Sequence, residues 1–320
     1  MTTATDIVTD YCDRFRNWGR WGEDDQRGTL NYITPEKVLE ATRIPNSGRV
    51  VSLALPYDSS GPQTGAIGRV NPIHQMLITG TDYLAGVGRP GRKTPLPYGM
   101  GFSDDAVYMP LQCGTQWDSL AHVFANGKMY NGFSAGEVSS FGAARNGIEN
   151  FAESLAGRGV LLDVARHKGV EALERGYAIT PDDLDGAASA EGVDVREGDI
   201  VLVRTGELGR CRRDGWDGFA GGDAPGLSLH TAPWLYERRI AAIATDTWGF
   251  EVRPNEIPDS YQPLHLVAIV NMGLVVGEIF ALDAIGDACA ADGRYEFLFV
   301  GPPLPITGGV GSPLNALAIK

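Results

Sequence analysis

Two short runs, "GVLLDVAR" (159–166) and "GDIVLVRTG" (198–206), constrain the fold more than any other part of the chain. Each is dominated by aliphatic, often β-branched residues, opens on glycine and is too short to stand as a helix. Apolar positions that do not alternate with polar ones suit a strand covered on both faces, and such strands lie inside α/β proteins. The intervening "ITPDDLDGAASAEG" supplies a helix, with Thr180 as N-cap and Pro181 at its first position. "LHTAPWLYERRIAAIATDT" repeats the theme as a helix followed by the strand "IAAIATD". "LHLVAIVNMGLVVGEIF" has the apolar length of a buried helix or a helix–turn–strand. Strands and helices that alternate in this way predict an α/β fold.

The remaining chain fits one domain spanning residues 1–320, with an N-terminal extension of about 45 residues. Residues 5–17 read as a short amphipathic helix. A second helix follows Thr34 as N-cap and Pro35 at the first helical position. "GRVVSLALPY" and "PIHQMLITG" read as strands, and residues 58–73 and 85–101, rich in Gly and Pro, as long loops. "YEFLFVGPPLPITGGVGSPLNALAIK" reads as two strands joined by turns.

With 43% hydrophobic and 21% charged residues the chain can bury a substantial core. A net charge of −13 repels phosphate backbones and anionic lipid, so neither nucleic acid nor membrane is expected as a partner. No run of about 18 apolar residues suggests a membrane span. "MTTATDIVTDYCDRF" lacks the layout of a secretion signal, and Cys12, Cys113, Cys211 and Cys289 form no CxxC pair. Both features predict a cytoplasmic protein with free thiols.

The chemistry concentrates in "LQCGTQWDSLAHVF" (111–124). In an extended segment Gln112, Gly114, Gln116 and Asp118 share one side. If the chain turns helical after Asp118, His122 falls on the same face one turn later. His265 and Glu278 bracket an almost wholly apolar segment, where a carboxylate needs a cation, a metal or a proton. The other histidines divide: His74 lies among apolar residues and is a candidate substrate contact, whereas His167 and His230 read as surface and structural residues. A Cys113–His122 nucleophile pair is disfavoured because Cys113 points away from Gln112 and Gly114, as a buried small hydrophobe. "GGVGSP" lacks the lysine of a phosphate loop and reads as a turn. Trp18, Trp21, Tyr32 and Trp117 offer aromatic walls for a substrate or packing for a core.

These residues resemble a known family. "QCGTQWDSLAH" is similar to HxGTHxDxPxH, the signature of the cyclase-family metal-dependent hydrolases that include kynurenine formamidases and isatin hydrolases. Gly114, Thr115, Asp118 and His122 match, Gln112 and Gln116 replace two motif histidines, and Leu120 replaces the proline. "LLDVA", "GDIVLVRTG", "PGLSLHTAPWL", "IATDT", the 265–278 segment and "GGVGSPLNALAI" follow in the family's order, so the resemblance runs from about residue 20 to the end. It implies a swivelling β/β/α domain of the cyclase/kynurenine formamidase type and a homo-oligomer, dimer or tetramer.

The resemblance also implies roles. Asp118, His265 and Glu278 become metal ligands, Gln112 and Gln116 stand at ligand positions, and His122, with Asp118, becomes the acid/base. Zinc or manganese is the implied ion. A neutral amide is a poor replacement for imidazole toward either, so a metal-free pocket is the alternative. Substrate contacts are expected from Gln112, Gln116, Trp117, His74 and Trp21. The leading expectation is a hydrolase, an amidohydrolase or lactonase, that opens an amide, lactam or lactone of a small cyclic or aromatic metabolite. Two alternatives are a metal-free cyclase or isomerase of polyketide-like metabolism and a catalytically inactive small-molecule binder.

Overall fold

The two runs that read as buried strands lie side by side and parallel at the centre of one sheet in the computed structural model, which describes residues 4–87 and 96–320. The sheet strands are β1 (Val50–Ser52), β2 (Gln116–Asp118), β3 (Ala156–Asp163), β4 (Ile200–Arg204), β5 (Ala242–Thr245), β6 (Val275–Glu278), β7 (Glu296–Val300), β8 (Gly311–Pro313) and β9 (Leu317–Ile319). Their order across the sheet is β1-β9-β7-β3-β4-β5-β6-β2-β8. β3, β4, β5 and β6 pair in parallel, and the flanking strands are antiparallel. Every residue of β4, β5 and β6 is buried, as strands covered on both faces require.

The crossovers follow from local chemistry. Helix Pro181–Glu191 opens with a reciprocal capping box between Thr180 and Asp183 and ends at Gly192 in the left-handed region (φ 64°). The apolar segment before Glu278 resolves into a helix, a turn and a strand. Helix Pro263–His265 widens into a π-type helix over Leu266–Met272, Gly273 reverses the chain, and β6 follows. Leu161, Val201, Ile243 and Val276 join Trp117, Phe297 and Phe299 in one core.

One expectation changes here. The last 25 residues form three strands, because Gly311–Pro313 leaves β7 and pairs with β2 (Ser312 opposite Trp117). The proline of that strand sits at the sheet edge, where its missing N–H is tolerated. The N-terminal segment packs into the main core. Leu30 is fully buried in the main core, and the Thr29 hydroxyl donates to the Ala241 carbonyl at 2.7 Å. Helix Ala4–Arg14 and helix Pro35–Ala41, capped by Thr34, lie where expected. Loop 58–73 carries a short 3-10 turn at Ala66–Gly68, and residues 88–95 of the second loop lie outside the described residues. Strands Ile73–Ile78 and Asp104–Tyr108 form a separate hairpin. Among the described residues no helix is long and apolar enough to cross a membrane.

Candidate active site

The register between β6 and β2 builds the site. Glu278 faces Gln116 and Gly277 faces Trp117 across the antiparallel pair. Side chains alternate along a strand, so Gln116 and Asp118 join Glu278 on one face while Trp117 turns to the other. Gly277 is required by that turn, since a Cβ there would lie 2.6 Å from the indole of Trp117 and 2.7 Å from Phe280. Trp117 is fully enclosed, packs against Phe280 and Phe299, and donates its N–H to the Gly301 carbonyl at 2.8 Å. It is therefore a core residue and not the substrate contact expected from the sequence.

Asp118, His265 and Glu278 are all buried, and one donor atom from each lies within 4.8 Å of the others. Gln116 bridges the two acids: its amide nitrogen donates to Glu278 Oε2 at 2.9 Å and, more weakly, to Asp118 Oδ1 at 3.4 Å. Its amide oxygen is buried with no partner among the described residues. His265 stands between two carboxylates, with Nδ1 2.5 Å from Glu251 Oε1 and Nε2 3.3 Å from Glu278 Oε1. Glu251 also accepts the backbone N–H groups of Leu264 (3.1 Å) and His265 (2.9 Å), which fastens it to the start of the helix that carries His265.

Glu251 was missed in the sequence. Its signal was a lone acid in the apolar "WGFEV", the same kind of signal that singled out Glu278.

These contacts set the charges. Burial pushes Asp118 up to about 6; His122 opposes that rise and Glu278 adds to it. Burial alone would lower His265, but its bonds to Glu251 and Glu278 outweigh this and lift it to about 10. In the metal-free protein His265 is thus an imidazolium at neutral pH.

His122 arrives by a turn and not by the helix anticipated after Asp118. Its N–H bonds the Ser119 carbonyl at 3.1 Å, and its Nε2 lies 3.9 Å from Asp118 Oδ1. It borders a cavity of about 480 Å³ that also exposes His265, Glu278, Arg69, Trp248 and Tyr261. So His122, His265 and Glu278 border one cavity, and the buried Asp118 lies beside all three.

Other expected contacts lie elsewhere. The chain turns over residues 111–115, so Gln112 leaves the shared face and packs at Gly311, with its amide nitrogen unpartnered. Thr115 holds that turn, donating to the Ile279 carbonyl at 2.6 Å and accepting from the Leu55 N–H at 2.9 Å. His74 is exposed on the hairpin and pairs with Asp105 at 2.7 Å, because its strand belongs to no larger sheet. Trp21 packs edge-on against Tyr32 at 5.1 Å and does not line the cavity. Cys113 is buried, and burial pushes its thiol up to about 11, unsuited to a nucleophile at neutral pH. His167 and His230 are exposed.

The residues present fit a divalent cation. Two carboxylates and an imidazole converge in a buried pocket, an oxygen-rich donor set. Glu251 would keep the outward nitrogen of His265 engaged, as metal-binding histidines require.

A nine-stranded mixed sheet with this acidic pocket at a strand end defines an α/β enzyme of the cyclase type. The family described as "Putative cyclase" matches residues 35–252, and the chain belongs to it. It is similar to a crystal structure of a novel cyclase, with 40% identity, TM-score 0.84, and 97% of this chain and 99% of that one covered. It shares the fold of isatin hydrolase A from Labrenzia aggregata bound to benzyl benzoate, at 21% identity and TM-score 0.61, covering 84% of this chain and 93% of that one. A "predicted metal-dependent hydrolase" from Bacillus stearothermophilus also shares it, at 17% identity and TM-score 0.50, covering 84% and 97%. No curated protein matches the chain.

Proposed function

We propose that this chain is a hydrolase that opens an amide, lactam or lactone bond of a small cyclic or aromatic molecule, with His122 as the acid/base. The observation that carries this reading is the place of His122: at the cavity edge, 3.9 Å from Asp118, beside the buried Asp118–His265–Glu278 set. Those three residues would hold a divalent cation. When bound, such an ion makes water a better nucleophile and stabilises negative charge on a carbonyl oxygen. Zinc and manganese are the candidates, and the oxygen-rich donors favour manganese.

The chain's own residues would do the rest. His122 takes the proton from the attacking water and returns it to the leaving nitrogen or oxygen. Asp118 favours the imidazolium that forms between those steps. Glu251 fixes the ring orientation of His265. Trp248, Tyr261 and Phe124 pack against a flat ring and displace water from it.

The test is turnover of a panel of aromatic amides, lactams and lactones by the manganese-loaded protein and by His122→Ala. The variant is expected to lose about 10²–10⁴-fold in kcat while keeping its metal. Full turnover by His122→Ala would remove the reading.

A second reading is favoured by one observation: the Gln116 amide already bridges Glu278 and Asp118, where a cation would otherwise balance them. In that case His122 serves a metal-free cyclase or isomerase as base. Stoichiometric, tightly held manganese or zinc in the purified protein would count against it. We also propose a homo-oligomer, because the isolated hairpin exposes Ile73, Met76, Leu77, Val107 and Tyr108, and a two-stranded hairpin is marginal alone. Light scattering that gives a monomer mass would end that proposal.

A further inference from the structure

Arg69 lines the same cavity as His122, His265 and Glu278. Among the described residues its guanidinium makes no salt bridge and no hydrogen bond, although it lies near enough to Asp118 to favour that group's charged form. Its one directed contact is with the face of Trp248, whose ring centroid lies 5.5 Å away. The arginines packed beside the central strands are held by acids instead. Arg158 binds Asp199 and Glu296, Arg204 binds Asp163 and Asp283, and Arg175 binds Glu207. A guanidinium cannot shed its proton, so the half-buried Arg69 remains charged.

The loop that carries it is fastened. The Gln63 N–H donates to Asn71 Oδ1 at 2.8 Å, and the Asn71 amide returns a bond to the Gln63 carbonyl at 3.1 Å. Gln63 also donates its amide to the Cys113 carbonyl at 2.9 Å, tying the loop to the segment that leads into β2. Trp216 donates to the Ser60 carbonyl at 2.7 Å. Nearer still, the Arg69 N–H bonds the Ala66 carbonyl at 3.1 Å. The cation is therefore presented to the cavity by a built support, which lowers the ordering cost of binding. Opposite kinds of wall meet there: Trp248, Tyr261, Phe124 and Ile67 are flat or apolar, and Arg69 supplies a fork suited to a carboxylate.

We infer that Arg69 is a specificity residue that binds a carboxylate carried by the substrate's ring, so that the cavity selects aromatic acids over neutral rings of the same shape. This rests on the cavity being the substrate site, as proposed above. The carboxylate accepts two parallel N–H bonds from the guanidinium while the ring packs beside Trp248.

Equilibrium binding tests it without turnover. Benzoate and its neutral isostere benzamide are titrated into metal-stripped wild type, Arg69→Met and Arg69→Lys, with melting curves to verify folding. Stripping the metal removes one competing carboxylate-binding group, and the His265 imidazolium that remains is already bonded to Glu251 and Glu278 and is the same in every variant. Wild type is expected to prefer benzoate by roughly ten-fold or more, with the preference lost in Arg69→Met and partly kept in Arg69→Lys. Equal affinities in wild type, no measurable binding of either compound, or a preference that survives in Arg69→Met would overturn it. If Arg69→Met does not fold, Arg69→Gln takes its place under the same criteria. The preference and its loss, found in a protein that hydrolyses nothing on the panel, would leave Arg69's role standing and remove the hydrolase reading.

Discussion

Glu251 touches no solvent-facing part of the cavity, yet it holds His265 by three bonds, one to the ring and two through the backbone of its helix. Glu251→Gln is expected to keep the backbone contacts in part and to lose the charge that orients and protonates the ring. Metal affinity should then fall about 10–100-fold, measured by chelator competition, with the fold retained. Unchanged affinity would show that the ring needs no such partner.

The same pair predicts a pH effect. His265 is raised in the folded state from 6.5 to about 10. In metal-free protein its stabilisation is fully present below pH 6.5 and is lost as pH rises through 10. A metal ligand must be unprotonated, so manganese affinity should rise across that window as the proton at Nε2 is displaced. Calorimetric titrations at several pH values would show this, and a flat profile would contradict the assigned charge.

At this scale the sequence was informative where polarity broke an apolar run, as at Asp118, His265 and Glu278. The same signal marks Glu251, but its partners could not be read there, because they are made by a helix start 14 residues on. The Trp117 expectation conflicted with the alternation that had grouped Gln116 with Asp118, and the alternation was the better guide.

At the scale of elements, a single register decides whether Gln116 and Asp118 face Glu278. It depends on Gly277 leaving room for Trp117 across β6. Gly277→Ala adds a methyl where the indole lies, so it should lower the melting temperature and weaken metal binding together. Overpacking of this kind costs about 1–3 kcal/mol. A variant as stable as wild type with full metal affinity would mean the register does not depend on that contact. The central strands and capped helices were legible because burial and capping are local signals. The pairing of β8 with β2 was not, since a Gly/Pro-rich stretch gives no sign of where it returns. Nor was the turn over residues 111–115, which is fixed by Thr115 and Gln63 through partners distant in sequence.

Across the whole molecule, the order of blocks along the chain indicated the family and its α/β fold, which the sheet and the family match bear out. What it left open is the balance of charge in the pocket. Three buried acids, Asp118, Glu251 and Glu278, face one buried imidazole and the half-buried Arg69, and Gln116 contributes only amide hydrogens. A divalent ion would balance that excess. The direct measurement is the metal content and affinity of manganese-reconstituted wild type beside Asp118→Asn and Glu278→Gln, by elemental analysis after gel filtration. The account predicts one ion per chain in wild type and none retained by either variant. Equal retention by all three proteins, or none in wild type, would contradict it.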